Sequence, residues 1–270
     1  MNPFDEFRLK VTENIAALGK DRGLYETTLS WIRQSNAHGY TYNHTWLGRP
    51  IIQYPQDMVA VQELIWQVRP DLIIETGIAH GGSLILSASM LALLDYGEAV
   101  VAGEALDPLA SRRRVLGIDI DIRSHNREAI ERHPLAHKIE MIEGSSIAPD
   151  VVAQVRDRAQ AFECIMVLLD SMHAHDHVLA ELEAYAPLTS RGSYCVVFDT
   201  LIEDMPVDMF SDRPWGKGNN PKTAVREYLR RLEGGERKGC DGSSLFFEVD
   251  RSIEDKLLIT VAPHGYLKRI

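Results

Sequence analysis

Five short apolar runs, each closing on an acidic or small polar residue, constrain the fold of this chain more than any other feature. They occupy residues 72–75, 115–119, 139–142, 164–170 and 194–199. Stretches with helical spacing separate them: 83–94, apolar on nearly all sides, then 124–132, 149–160 and 176–186, the last carrying Val178, Leu179, Leu182 and Tyr185. Strands that are continuously apolar are buried on both faces, so their alternation with helices predicts an α/β fold with a parallel sheet between helical layers. Two later runs, 245–249 and 257–261, have no convincing helix between them and predict a terminal antiparallel hairpin, which brings the sheet to seven strands.

Before this rhythm the pattern differs. Residues 4–18 form a candidate amphipathic helix with Phe4, Phe7, Leu9, Val11, Ile15 and Leu18 as apolar members. The aromatic, Gly- and Pro-containing segment 40–56 reads as irregular or short-stranded. A helix is expected from Asp57, as its N-cap, to Arg69-Pro70. The division is therefore an N-terminal arm and cap segment, 1–56, and one Rossmann-like domain, 57–270. The length and the 45% hydrophobic content suit a single sizeable core.

No stretch approaches 18 uncharged apolar residues, so no transmembrane segment is expected. The first twenty residues lack the basic start and apolar run of a secretory signal, and the expectation is a soluble cytoplasmic chain. A net charge of −10 argues against nucleic acid, whose phosphates need neutralising cations; Arg112-Arg113-Arg114 reads as a solvated loop. Cys164 and Cys195 lie within apolar runs, and with Cys240 they show no CxxC spacing, which excludes a zinc or disulfide frame.

In an open parallel sheet, ligands bind beyond the carboxyl ends of the strands. Here those ends read Glu75-Thr76-Gly77-Ile78-Ala79-His80-Gly81-Gly82-Ser83, Asp119-Ile120-Asp121, Glu143-Gly144-Ser145-Ser146, Asp170-Ser171-Met172-His173 and Asp199-Thr200. Charged side chains are seldom buried without a partner, so this clustering points to ligands. The first loop lacks the GxGxxG spacing of a dinucleotide site and has a glutamate before its first glycine. A carboxylate there repels pyrophosphate and suits a cationic ligand such as the sulfonium and amine of S-adenosylmethionine. On that reading Glu75, Gly77, Ala79, His80, Gly81 and Ser83 hold the methionine end. Asp119 accepts both ribose hydroxyls, Ser145 lies at the adenine edge, and Asp170 closes the pocket.

Asp170 and Asp199 end neighbouring strands, and two converging carboxylates share a proton or bind a hard cation such as Mg²⁺. His173, three residues past Asp170, is the candidate general base, with His80 in reserve. Asp176 reads as a helix N-cap, and His175 and His177 as residues without a site role.

These motifs, IIETGIAHGGS, LGIDIDIRSHNREAI, IEGSS, LLDSMHAHDHVLAELEAYAPL, YCVVFDT, RPWGKGNNPKTAVREYL and DKLLITVAPHGYLKRI, resemble the cephalosporin hydroxylase family, which includes rhamnosyl O-methyltransferases. The resemblance runs from about Trp46 to the C-terminus. It implies a Rossmann-like methyltransferase sheet, S-adenosylmethionine in the first loop, Mg²⁺ beside it and a homo-oligomer. By position, Asp170 matches one metal ligand and Asp199 the second member of a Glu-Asp pair. Phe198 stands where the family has the glutamate, so the metal site is either weaker or completed by another oxygen donor, with Glu203 and Asp204 as the candidates. Arg213–Pro221 matches a loop over the cleft, with Trp215 facing the acceptor.

The activity expected is methyl transfer to a hydroxyl of a sugar, a glycan or a secondary metabolite. Two rivals are a non-haem-metal hydroxylase and an inactive S-adenosylmethionine-binding module. The hydroxylase lacks an HxD motif followed by a distant His at strand spacing; the inactive module is suggested by Phe198.

Overall fold

A computed structural model describes residues 2–270. Two helices, α1 (Pro3–Leu18) and α2 (Arg22–Asn36), precede a hairpin of β1 (His44–Trp46) and β2 (Arg49–Ile51). Helix α3 (Pro55–Val68) leads into the alternating part of the chain: β3 (Leu72–Thr76), α4 (Gly82–Ala102), β4 (Arg114–Asp119), α5 (Ser124–Glu131), β5 (Ile139–Glu143), α6 (Pro149–Ala159), β6 (Ile165–Leu169), α7 (His175–Tyr185) and β7 (Tyr194–Val197). After α8 (Pro221–Leu232), the chain closes with β8 (Phe247–Val249), α9 (Arg251–Leu257) and β9 (Tyr266–Arg269).

The seven-stranded sheet has the order β5-β4-β3-β6-β7-β9-β8, with β9 antiparallel to both neighbours and the other pairings parallel. From β3 the chain works outward to β5, then returns to β6 on the other side of β3. That reversal opens a crevice at the carboxyl ends of β3 and β6. Because side chains alternate across a strand, Leu72 and Ile74 face one core with α6, α7 and α8, while Ile73 faces the other with α3 and α4.

Several expectations change here. The run 257–261 is not a strand. Its polar groups go instead to Asp57, which accepts from the Val261 amide (3.0 Å) and the Tyr266 hydroxyl (2.8 Å) and also from the Thr260 hydroxyl. Residues 251–257 are helical, capped by the Asp250 carboxylate on the Ser252 amide, and the last strand lies further on. Asp57 is therefore no N-cap but a buried residue of the first turn of α3, whose N-cap is Tyr54. Asp176 likewise lies inside α7, capped by Ala174. Helix α2 was not expected at all. By length and composition α4 is apolar enough to cross a membrane, although no such segment was expected; its Leu84, Ile85, Leu91 and Leu94 are buried in the fold.

Candidate active site

A cavity of about 800 Å³ opens at the carboxyl ends of the parallel strands. One end is formed by the loop after β3. Gly77 has φ +88°, and a Cβ there would stand 2.1 Å from the Asp170 carbonyl oxygen, so the close approach of the β3 and β6 ends demands glycine. Gly77, Ala79, His80, Ser83, Asp119, Ser145 and Asp170 all line the cavity.

Two predicted residues, Glu75 and Gly81, do not line it. Glu75 is only 2% exposed and accepts a hydrogen bond from the Ser83 hydroxyl, so it lies behind the cavity wall rather than in it. Burial pushes its carboxyl up to about 7, with the Ser83 bond opposing. Gly81 turns the chain into α4 at φ +83°. Asp119 is also more occupied than expected. Its Oδ2 accepts from the amides of Ile78 (2.7 Å) and Ala79 (3.2 Å), and its Oδ1 from the Asp121 amide (3.2 Å). Only one or so of its lone pairs on Oδ1 stays free for a ribose hydroxyl.

His177 was given no site role, yet it lines the cavity. Its Nε2 lies 3.1 Å from Ser146 Oγ, 3.2 Å from Ser171 Oγ and 3.6 Å from Glu181 Oε1. The sequence signal was present: a histidine and a glutamate four apart on α7 share a face, and that face packs inward. His175 faces elsewhere, its Nδ1 2.8 Å from Thr223 Oγ1 and its amide on Asn219 Oδ1 (2.9 Å), tying α7 to the loop before α8.

Further along the cavity, Asp170, His173 and Asp199 each place a ligand atom within 4.8 Å of the other two. His173 Nε2 is 3.2 Å from Asp199 Oδ2, and Trp215 packs edge-on to the imidazole with centroids 4.9 Å apart. Burial, then the charges of Asp199 and Glu75, hold the Asp170 carboxyl well above the usual carboxylate range, with a hydrogen bond from Gln53 opposing. Two carboxylates and an imidazole around a site of excess negative charge fit a divalent cation. Phe198 is 2% exposed, buried in the core beneath the site. Neither proposed replacement joins the cluster. Glu203 accepts from the Gly218 amide (2.8 Å) and the Asn220 amide group (2.6 Å), and Asp204 pairs with Lys222. The third group of the cluster is the His173 imidazole, whose Nε2 faces Asp199.

Strand order, glycine turn and acidic strand ends together define a Rossmann-like methyltransferase. The rhamnosyl O-methyltransferase/CmcI family description matches residues 38–270, and the chain belongs to that family and is an O-methyltransferase. It is 29% identical over 227 residues to a rhamnosyl O-methyltransferase of Mycobacterium leprae (strain TN), covering 83% of this chain and 82% of that protein. It is 28% identical over 230 residues to the enzyme of the same name from Mycobacterium tuberculosis (strain ATCC 25618 / H37Rv), covering 83% and 78%. Among solved structures, CmcI with Mg and S-adenosylmethionine superposes with a TM-score of 0.52 at 16% identity, over 85% of this chain and 77% of that one. That likeness bears on the fold.

Proposed function

We propose that this protein transfers the methyl group of S-adenosylmethionine to a hydroxyl of a sugar-bearing acceptor, assisted by Mg²⁺ at Asp170 and Asp199. The observation that carries this reading is the convergence of Asp170, His173 and Asp199 in the cavity that the glycine loop also lines. The names of the mycobacterial relatives support a rhamnosyl acceptor.

In the proposed reaction the acceptor oxygen forms a bond to the methyl carbon as the carbon–sulfur bond breaks, and the hydroxyl proton leaves. The donor is already activated, so the protein's work is alignment and proton removal. Ser83 and the 77–80 backbone hold the methionine end, Asp119 Oδ1 a ribose hydroxyl, and Ser145 the adenine edge. With Nε2 of His173 facing Asp199, its other ring nitrogen takes the proton, and the Asp199 carboxylate orients the ring and stabilises the imidazolium. His80 is the reserve base. A bound Mg²⁺ would lower the proton affinity of the acceptor hydroxyl. Residues 1–56 serve as arm and cap to the 57–270 domain. The exposed Phe4, Phe7 and Leu9 of α1 support a homo-oligomer.

The test is mass spectrometry of small molecules retained by the purified protein, followed by methyl transfer to rhamnosyl glycosides with and without Mg²⁺. Adenosylhomocysteine in the retained fraction and metal-stimulated transfer are expected. Retention of nicotinamide or nucleotide-sugar ligands, with no affinity for the sulfonium donor, overturns the reading.

A further inference from the structure

The loop that carries the donor site is conformationally expensive. Gly77, Ala79 and Gly81 all have positive φ, and Ala79 does so at +46° without being glycine. A non-glycine residue persists there only when its surroundings fix it. Three side chains from outside the loop do so. Asp119 takes its amides, as described. Its carbonyls go to a second pair: Asn126 on α5 donates Nδ2 to the Ala79 oxygen (3.0 Å), and Arg49 on β2 donates Nε and Nη2 to the His80 oxygen (3.0 and 2.6 Å). The same Nη2 donates to Asn126 Oδ1 (3.1 Å), closing a ring of four groups.

Arg49 has no carboxylate within ion-pair distance among the described residues, so its charge is directed at the loop. Asn126 is 4% exposed, with both ends of its amide engaged in this ring. The β1–β2 hairpin lies against the start of α4: a Cβ on Gly82 would stand 2.2 Å from the Pro50 carbonyl oxygen. Ile51 and Gln53 continue from it into the cavity wall.

We propose that Arg49, acting with Asn126, is a positioning residue for donor binding, so that the hairpin before the sheet is part of the donor site. The inference rests on the reading of the cavity as an S-adenosylmethionine site. Arg49 touches the loop backbone rather than the donor, and its effect passes through the Ala79–His80 peptide.

The test is calorimetric titration of the full chain with S-adenosylhomocysteine, beside thermal unfolding of each variant. Arg49→Met is expected to weaken binding by about 10- to 100-fold, the range for losing hydrogen bonds from a charged group. Arg49→Lys restores part of this, because an ammonium keeps the charge but not the planar fork. Asn126→Leu weakens binding too, and the double variant is weaker than wild type by less than the product of the two single effects. Asn126→Asp keeps the acceptor for Arg49 but loses the donor to Ala79, and serves if Arg49→Met does not fold. A purely structural role lowers the unfolding temperature of these variants and leaves the affinity of the folded protein at the wild-type value, which overturns the proposal. Wild-type protein that fails to bind adenosylhomocysteine defeats the donor reading instead, and the two failures are distinct.

Discussion

The two ends of the cavity are built in different ways. The end proposed for the donor comes from consecutive strand ends, and its loop is locked by Asp119, Asn126 and Arg49 through backbone hydrogen bonds. The end proposed for the acceptor comes from segments far apart in the chain: Thr41 and Tyr42 before the sheet, and Met209, Phe210 and Trp215 after β7. Tyr42 is 64% exposed, and the loop carrying Trp215 is held mainly by Glu203 and Asn219. A scaffold that fixes one end and drapes loops over the other can keep its methyl donor while its acceptor changes. Asp170, His173 and Asp199 sit where the two ends meet.

The largest effect should therefore come from the junction. Asp170→Ala is expected to reduce methyl transfer by at least about a thousandfold, since it removes charge stabilisation where the oxygen loses its proton. Adenosylhomocysteine affinity should fall by less than roughly tenfold. Transfer of labelled methyl and calorimetry on the same preparation measure both; normal turnover in the variant disposes of the metal site. Next is His173→Gln, expected to cost about a hundredfold in kcat as a lost general base, with donor affinity retained. A variant that loses donor binding as severely would place His173 in the donor half and erase the division.

The contrast also explains what could be read from the sequence. Four of the five parallel strands were legible because burial on both faces leaves an uninterrupted apolar run, whereas β5, at the sheet edge with Glu140 exposed, was legible only from its place in the rhythm; the acidic ends marked the crevice. Asp170, His173 and Asp199 were legible for the same reason, since each lies at or just past a strand end. The last strand was not: the apolar run 257–261 fits a strand equally well, and only the distant, buried Asp57 shows where its backbone groups go. Helix α2 escaped because just Thr28 and Ile32 of it are buried, too few for a clear stripe. Glu75 was expected at the cavity and lies buried behind Ser83, because sequence shows a carboxylate beside a glycine turn and not which way it points. Arg49 was invisible, since an arginine that holds backbone carbonyls leaves no pattern in its own segment.

Glu75 gives a smaller test that separates charge from geometry at the donor end. Its folded-state pKa is raised from 4.5 to about 7, so the folded protein binds the proton more tightly than the unfolded chain does. Between those values the native state holds more protons. Stability therefore falls as pH rises through that window, by roughly 3 kcal/mol in all, and stays reduced above it. Glu75→Gln should remove this slope and be the more stable form at pH 8, as measured by denaturant unfolding at pH 5 and pH 8. Its amide oxygen still accepts from Ser83, so adenosylhomocysteine affinity should change by less than about tenfold. A greater loss would mean that the donor feels the charge of Glu75 directly.

The smallest effect belongs to the acceptor wall. Trp215 touches His173 edge-on and carries Arg213 over its face at 5.6 Å, so it can present a flat apolar surface to a sugar while steadying the base. An aromatic contact of this kind is worth about 0.5–1.5 kcal/mol, which is roughly a two- to tenfold change. Trp215→Ala is accordingly expected to raise KM for a rhamnosyl glycoside within that range and to lower kcat by less, with adenosylhomocysteine affinity at the wild-type value. Steady-state kinetics with acceptor varied at saturating donor, then donor varied at saturating acceptor, separates the two ends. A rise in donor KM alone would show that the 213–221 loop closes on the donor, and the acceptor end would then have to be sought around Tyr42.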